Sequence, residues 1–237
     1  MKNPTISVIT VVYNSSELIE KTIKSVISQN YKNIEYIIID GSSKDETINV
    51  INKYSNSIDI IISEEDRGIY DAMNKGINLA RGEWLNFMNA GDIFFNDNVL
   101  EDIVKNSYLL KSSIVYSDTI IKNYKKEIKS VANFSDSIFI HQSIIYKRKL
   151  HEKYGPYLVD NEITISDYIF FNQLKDEAII KYPNIISIFD ANGISSQANR
   201  FYQKICYDFF IGKISKKYFI LILIFYPIYK YIKNLFK

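Results

Sequence analysis

Along the first half of the chain, short unbroken apolar runs take turns with apolar stripes at helical spacing. Thr5 to Val12 is a β-branched run of the kind that forms a fully buried strand. Tyr13-Asn14-Ser15-Ser16 ends it and caps a helix with Glu17 in its first turn and Leu18, Ile19, Ile23, Val26 and Ile27 on its stripe. A second buried strand, Tyr36 to Ile39, runs into Asp40-Gly41-Ser42-Ser43. Ser43 and Glu46 have capping-box spacing for a helix carrying Ile48, Val50 and Ile51. Ile58 to Ile62 is the third strand, and it feeds the stretch Ser63–Asp92. That stretch reads as an acidic loop, a helix with Ile69, Met73, Ile77 and Ala80 on one face, and a stop at Arg81-Gly82. A strand over Trp84 to Met88 and the turn Asn89-Ala90-Gly91-Asp92 complete it. Strand–helix alternation repeated this often predicts an α/β fold, its mainly parallel sheet joined by right-handed crossovers and flanked by helices.

Past Asp92 the pattern loosens. Val99 to Leu110 reads as a helix, Ile114 to Ile121 as a strand, and Lys122 to Lys129 as a charged turn or hairpin. Gln142 to Tyr146 alternates like a strand, and Lys147 to Lys153 resembles a short helix stopped by Gly155-Pro156. Over Ile163 to Lys175, Ser166-Asp167 marks a helix start, with Tyr168, Phe171 and Leu174 on the apolar side. There is no internal repeat and no low-complexity linker.

Composition narrows the picture. With 237 residues, 47% hydrophobic and 24% charged, the chain can bury a substantial core, which excludes wholesale disorder. Cys206 is the single cysteine, so there is no internal disulfide, and a reducing compartment fits. Two histidines, His141 and His151, cannot build a His-rich zinc site; a metal here would be a hard cation on carboxylate oxygen. The opening MKNPTISVITVVYN lacks the apolar core and cleavage site of a signal peptide and reads as the first strand of a cytosolic domain.

Asp40, Asp92 and Asp167 stand on turns or helix starts that a parallel sheet can bring to one edge. The carboxyl end of a buried strand is where open α/β sheets place ligand chemistry, although Asn, Gly and Asp are also ordinary turn residues. Loop–helix junctions cradle anions, a carboxylate can hold a divalent cation against a diphosphate, and a separate carboxylate can act as a general base for a hydroxyl. That set suits transfer of a sugar from a nucleotide diphosphate. No GxGxxG is present, which disfavours a dinucleotide cofactor.

Six segments in order carry a closer resemblance: SVITVVYN at Ser7–Asn14, EYIIIDGSSKDET at Glu35–Thr47, EEDRGIYDAMNKG at Glu64–Gly76, GEWLNFMNAGD at Gly82–Asp92, HQSIIYKR at His141–Arg148 and ISDY at Ile165–Tyr168. From about Ile6 to Ser196 the chain resembles the family 2 glycosyltransferases of GT-A fold, of the kind that builds bacterial surface polysaccharides. The resemblance implies an inverting transfer from a nucleotide-sugar donor to a saccharide acceptor. Tyr13 and Asp40 would contact base and ribose, Arg67 phosphate, and Asp71 and Asn74, three apart on one helix face, the donor. Asp92 would ligate Mn²⁺ or Mg²⁺, with Gly91 where relatives usually carry a second Asp. Asp167 would be the catalytic base, and His141 and Gln142 would touch substrate. Each has a plainer reading: a strand-end aromatic for Tyr13, a turn former for Asp40, solvated polarity for Arg67, Asp71 and Asn74, a dipole-favoured helix-start carboxylate for Asp167, a packed ring for His141.

Net charge is +2, unevenly spread: from Arg200 onward eight Lys or Arg face one acid, Asp208, a balance of +7. Within this end Tyr218 to Tyr229 carries no charge and is too short for a bilayer, which takes about 20 residues. Lys216, Lys217, Lys230, Lys233 and Lys237 flank it, and Tyr218, Tyr226, Tyr229 and Tyr231 add interfacial character. One reading is a C-terminal helix docked on the domain. The preferred one is a GT-A domain over 1–199 followed by a basic, apolar helical tail over 200–237, lying on the anionic cytoplasmic face of the cell membrane. A lipid-linked acceptor would explain such an anchor, and no nucleic-acid partner is expected. Two alternatives stand beside the transferase. A sugar-nucleotide nucleotidyltransferase would want a Gly- and Lys/Arg-rich phosphate loop that VVYNSSE does not supply, and a catalytically degenerate membrane scaffold is suggested by Gly91.

Overall fold

Every residue of β1 (Ile6–Val12) is buried, and its two faces feed two different cores. Ile6, Val8 and Val12 pack with Ile19, Ile23 and Val26 of α1 (Ser16–Ile27), while Ile9 and Val11 pack on the other side with Tyr70, Met73 and Ile77. A strand covered on both faces has no polar side to show, which is why its sequence is a run rather than an alternation. Each such Ile or Val removed from water contributes about 1.5–3 kcal/mol. The computed structural model describes residues 5–123, 126–160, 162–191 and 198–235, and of 198–199 and 227–235 the backbone alone. Ser196, Lys237, the first four residues and the tip of the 122–129 hairpin lie outside these, as do the side chains of Tyr229, Lys230, Tyr231 and Lys233.

In chain order, β1 and α1 are followed by β2 (Ile34–Asp40), α2 (Thr47–Asn52), β3 (Ile60–Ser63), α3 (Ile69–Leu79) and β4 (Trp84–Phe87). Next come β5 (Ile93–Phe94), α4 (Val99–Lys105), α5 (Tyr108–Lys111), β6 (Ile114–Tyr116), β7 (Thr119–Lys122), β8 (Glu127–Ser130) and β9 (Ile144–Lys147). Then α6 (Leu150–Tyr154), α7 (Ser166–Gln173), β10 (Ile179–Lys181), β11 (Ser187–Asp190), α8 (Ala198–Phe210) and α9 (Lys216–Leu235) complete the described chain. Seven strands form the main sheet in the order β10-β6-β9-β4-β1-β2-β3, parallel except for β9, which runs against both neighbours. A smaller sheet, β5-β11-β7-β8, lies beside it. The mainly parallel α/β architecture expected from the alternation is the one observed.

Four local expectations are corrected. The helix over Val99–Leu110 is two helices, because Ser107 adopts a left-handed conformation (φ 59°) between α4 and α5. The strand over Ile114–Ile121 divides at Ser117-Asp118, its halves joining different sheets. Ile69 stands half exposed, and the buried face of α3 is Tyr70, Ala72, Met73, Gly76 and Ile77. The Ser43–Glu46 capping box does not form, since the Ser43 hydroxyl bonds Asp40. Asp45 replaces it: one carboxylate oxygen accepts the Thr47 N–H (3.0 Å), and the other accepts the Ser16 N–H (3.2 Å) across the gap between loops. With Asn14 N–H to Ser43 Oγ (2.8 Å) and Lys44 N–H to Asn14 Oδ1 (2.8 Å), it stitches the loops after β1 and β2 together.

Candidate active site

The parallel register sets the carboxyl ends of the first strands side by side: Val12 pairs with Asp40, and Asp40 with Ser63. Asp40 is fully buried, its oxygens taken by the Ser43 N–H (3.0 Å) and the hydroxyls of Ser63 (2.7 Å) and Ser43. It props the loop up from beneath. The groups above it are Tyr13, half exposed, and Asp66: a Cβ on Gly41 would meet Asp66 Oδ2 at 2.6 Å and the Tyr13 ring at 3.3 Å. Burial raises the Asp66 carboxyl, and the charges of Asp71 and Asp40 add to the rise while Lys75 opposes it.

At the start of α3, Asp71 accepts the Arg67 N–H (3.0 Å) and pairs with the exposed Arg67 guanidinium (3.2 Å). The hydrogen bond from the Arg67 backbone holds its carboxyl below the usual range. Asn74 is turned elsewhere. Its amide donates to the Tyr157 carbonyl (2.8 Å) and accepts the Tyr157 N–H (3.0 Å), fastening the loop after α6 to α3.

The turn after β4 is built on Thr22 of α1, whose hydroxyl accepts the Gly91 N–H (2.9 Å) and donates to the Asp92 carbonyl (2.8 Å). Gly91 has φ 102°, a conformation that glycine adopts without penalty. Asp92 is buried and accepts the Asp190 N–H (2.8 Å). Desolvation pushes its carboxyl up to about 8, with the Asp190 N–H and the Gln142 side chain acting against the rise. A buried carboxylate short of compensating charge gains from a hard cation, so Asp92 fits a metal ligand. Among the described residues no group of three or more His, Cys, Asp or Glu gathers as a metal site, so diphosphate and water would supply the other ligands. Asp190, on β11, lies nearest: its side chain comes within 3.4 Å of where a Cβ on Gly91 would stand, and it pairs with Lys21 (2.6 Å).

Asp167, buried in the first turn of α7, is held by two groups absent from the sequence expectation. The Tyr70 hydroxyl donates to Oδ1 (2.7 Å), and Arg200 of α8 forks across both oxygens (3.1 and 3.0 Å). Burial opposes ionisation, but the Arg200 charge overrides it and brings the carboxyl down to about 2. His141 and Gln142 sit in a short 3-10 turn leading into β9. The Gln142 side chain acts on the Asp92 carboxyl and Asp167 acts on the His141 ring, so adjacent residues of this turn lie near the two carboxylates. Asp66, Tyr70, Asp190 and Arg200 complete the cluster. A polar residue beside each motif was visible in the sequence, but nothing there paired Arg200 with Asp167 across the fold.

The sequence profile of glycosyl transferase family 2 matches residues 7–155. A PGL/p-HBAD biosynthesis glycosyltransferase of Mycobacterium bovis is 29% identical over 167 residues, 66% of this chain and 64% of its own. An uncharacterized glycosyltransferase of Rickettsia prowazekii is 31% identical over 115 residues, 48% of this chain and 36% of its own. Among solved structures, TarS 1–349 of S. aureus in complex with UDP superposes with a TM-score of 0.70 at 17% identity, covering 85% of this chain and 63% of TarS 1–349. The mannosyltransferase PcManGT of Pyrobaculum calidifontis, in complex with GDP-Man and Mn²⁺, gives 0.63 at 19% identity over 79% and 57%. The chain thus spans less than two thirds of the relatives it matches, and the structural likeness is one of fold.

Proposed function

The chain belongs to glycosyltransferase family 2, and from that premise we propose that it is an inverting enzyme moving a sugar from a nucleoside-diphosphate donor to a saccharide acceptor. The observation that carries this reading is the pair of buried carboxylates, Asp92 in the turn after β4 and Asp167 at the start of α7, the second held by Tyr70 and Arg200. The first is suited to a cation at the leaving diphosphate and the second to the attacking hydroxyl. The neighbouring structures hold UDP or GDP-Man, and this supports a nucleotide sugar as donor.

In this reading the Tyr13 ring covers the base, and Asp66 meets the nucleoside above the buried Asp40. Asp71 and Arg67 face the donor from the start of α3, and Asn74 serves it indirectly by fixing the Tyr157 loop. Asp92, with Asp190 beside it, would hold Mn²⁺ or Mg²⁺; the bound cation would neutralise charge on the departing nucleoside diphosphate. Asp167 accepts the proton of the acceptor hydroxyl as that oxygen attacks the anomeric carbon from the face opposite the leaving group. A carboxylate held by Arg200 and Tyr70 is a weak base, so the acceptor hydroxyl must take over one of their places.

The acceptor we favour is lipid-linked. Among the described residues no helix is long and apolar enough to cross a membrane. Yet α9 exposes Tyr218, Ile220, Leu221, Leu223, Ile224 and Phe225, and the sequence around it is strongly basic. Apolar contact and positive charge together suit the anionic inner leaflet. The test is release of nucleoside diphosphate by purified full chain from UDP-, GDP- and dTDP-sugars with Mn²⁺. Asp167→Asn should lower turnover by about 10²–10⁴-fold with donor affinity unchanged. An equal loss of affinity would make Asp167 structural, and wild-type protein inert toward every donor would favour a non-catalytic scaffold.

A further inference from the structure

The two histidines are joined by a buried hydrogen-bonded chain, and the Gly155 carbonyl fixes its direction. His151 Nδ1 lies 3.0 Å from that carbonyl oxygen, and His151 Nε2 lies 2.9 Å from the Tyr146 hydroxyl. The Tyr146 hydroxyl is 2.9 Å from that of Tyr157, which is 3.1 Å from His141 Nε2. Burial lowers both imidazoles to about 4, so near neutral pH each carries a single N–H. A carbonyl only accepts; His151 therefore bears its proton on Nδ1, and its Nε2 accepts from Tyr146. Tyr146 has then spent its one proton and accepts from Tyr157. Tyr157 in turn accepts from His141, whose proton must sit on Nε2. The reverse direction would set the His151 lone pair against the Gly155 oxygen.

His141 is thereby left with a bare Nδ1. Its ring is packed by Phe87 (4.8 Å between centroids) and Phe171 (5.2 Å), which keeps it from turning over. The buried side-chain atoms without a partner among the described residues are Asn86 Oδ1 and Asn89 Oδ1; His141 Nδ1 is not one of them, and Asp167 is near enough to act on the ring electrostatically. We propose that His141 Nδ1 accepts a hydrogen bond from a hydroxyl of the saccharide bound beside Asp167, and that His151, Tyr146 and Tyr157 are positioning residues that keep this nitrogen unprotonated. What lies beside Asp167 rests on the transferase reading; the proton order along the chain does not. A lone pair here favours a hydroxyl at the facing sugar carbon over a deoxy or carboxylate group.

The experiment is a two-bond ¹H–¹⁵N correlation on full chain labelled with ¹⁵N-histidine, with the two residues told apart by His151→Gln. Near neutral pH, His141 should appear as the Nε2–H tautomer and His151 as the Nδ1–H tautomer. An Nδ1–H or evenly mixed His141 overturns the assignment. Tyr146→Phe keeps the ring and deletes one link; it should mix the tautomers of His141 and leave His151 as it was, and an unchanged His141 would end the positioning role. UDP-N-acetylglucosamine, GDP-mannose and methyl pyranosides with UDP then serve as probes. A hydroxyl on Nδ1 moves its resonance upfield, and failure of every probe to do so overturns the saccharide contact. Asp167→Asn at full rate with both tautomers as stated would instead sink the base assignment and leave the proton chain standing.

Discussion

Asp167 is buried and Arg200, its partner, is part-buried, so removing the arginine strands a buried charge. Asp167 titrates at about 2 in the folded chain, below its ordinary value of 3.8. Its contribution to stability is therefore present above that ordinary value and lost as pH falls through 2. In Arg200→Ala the burial remains and the compensating charge is gone, so the folded value should rise above 3.8 and the sign reverse. Urea unfolding should show the variant about 3 kcal/mol less stable at pH 7, with the gap narrowing toward pH 4. A constant gap would mean that Arg200 acts by packing. Gly91 is the other telling residue. Restoring the Asp that relatives usually carry there would force a side chain into φ 102°, at a cost of about 1–2 kcal/mol. Gly91→Asp should thus lower the thermal midpoint rather than simply add a ligand, and a midpoint equal to wild type would refute the strain.

At the scale of elements, α8 and α9 divide the work of the tail. α8 is tied to α7 and the segment before it by Arg200 to Asp167, by the Tyr168 hydroxyl to Asp208 (2.9 Å) and by Thr164 N–H to Gln203 (2.8 Å). α9 packs on α8 through stacked Phe209 and Phe219 (4.4 Å) and Phe201 and Tyr226 (3.9 Å), leaving Tyr218, Ile220, Leu221, Leu223, Ile224 and Phe225 exposed. Deleting 215–237 should abolish co-flotation with anionic vesicles and spare nucleotide binding. Salt should weaken vesicle binding of the full chain only in part, because screening acts on the charges and not on apolar burial. If the truncated chain unfolds and the full chain ignores vesicles, α9 is core.

For the molecule as a whole, the site is an edge where several strand ends meet, so ligand binding should register in global stability. A nucleoside diphosphate with Mn²⁺ at about 100 times its Kd adds about 2.7 kcal/mol, or about 5–10 °C in the midpoint for a chain of this size. In Asp92→Asn the manganese-dependent part of that shift should vanish. Unchanged affinity in Mn²⁺ would remove Asp92 from the metal.

The sequence by itself determined the doubly covered strands, because burial on both faces writes an uninterrupted apolar run, as in β1 and β2. It also determined that the loops carrying Asp40 and Asp92 share an edge, since a parallel sheet returns the ends of β2 and β4 to the same side, whereas Asp167 is reached through the antiparallel β9. The family follows from the same residues. Tertiary structure alone decided which carboxylates face outward. Asp40 and Asp66 look alike as turn residues, yet the Ser43 and Ser63 hydroxyls bury the first and leave the second beside Tyr13. It alone turned Asn74 to the Tyr157 backbone and brought Arg200 onto Asp167, and it alone gave His141 a bare nitrogen. Contacts between positions far apart in the chain depend on how helices dock and which protons are shared, and neither leaves a period in the sequence.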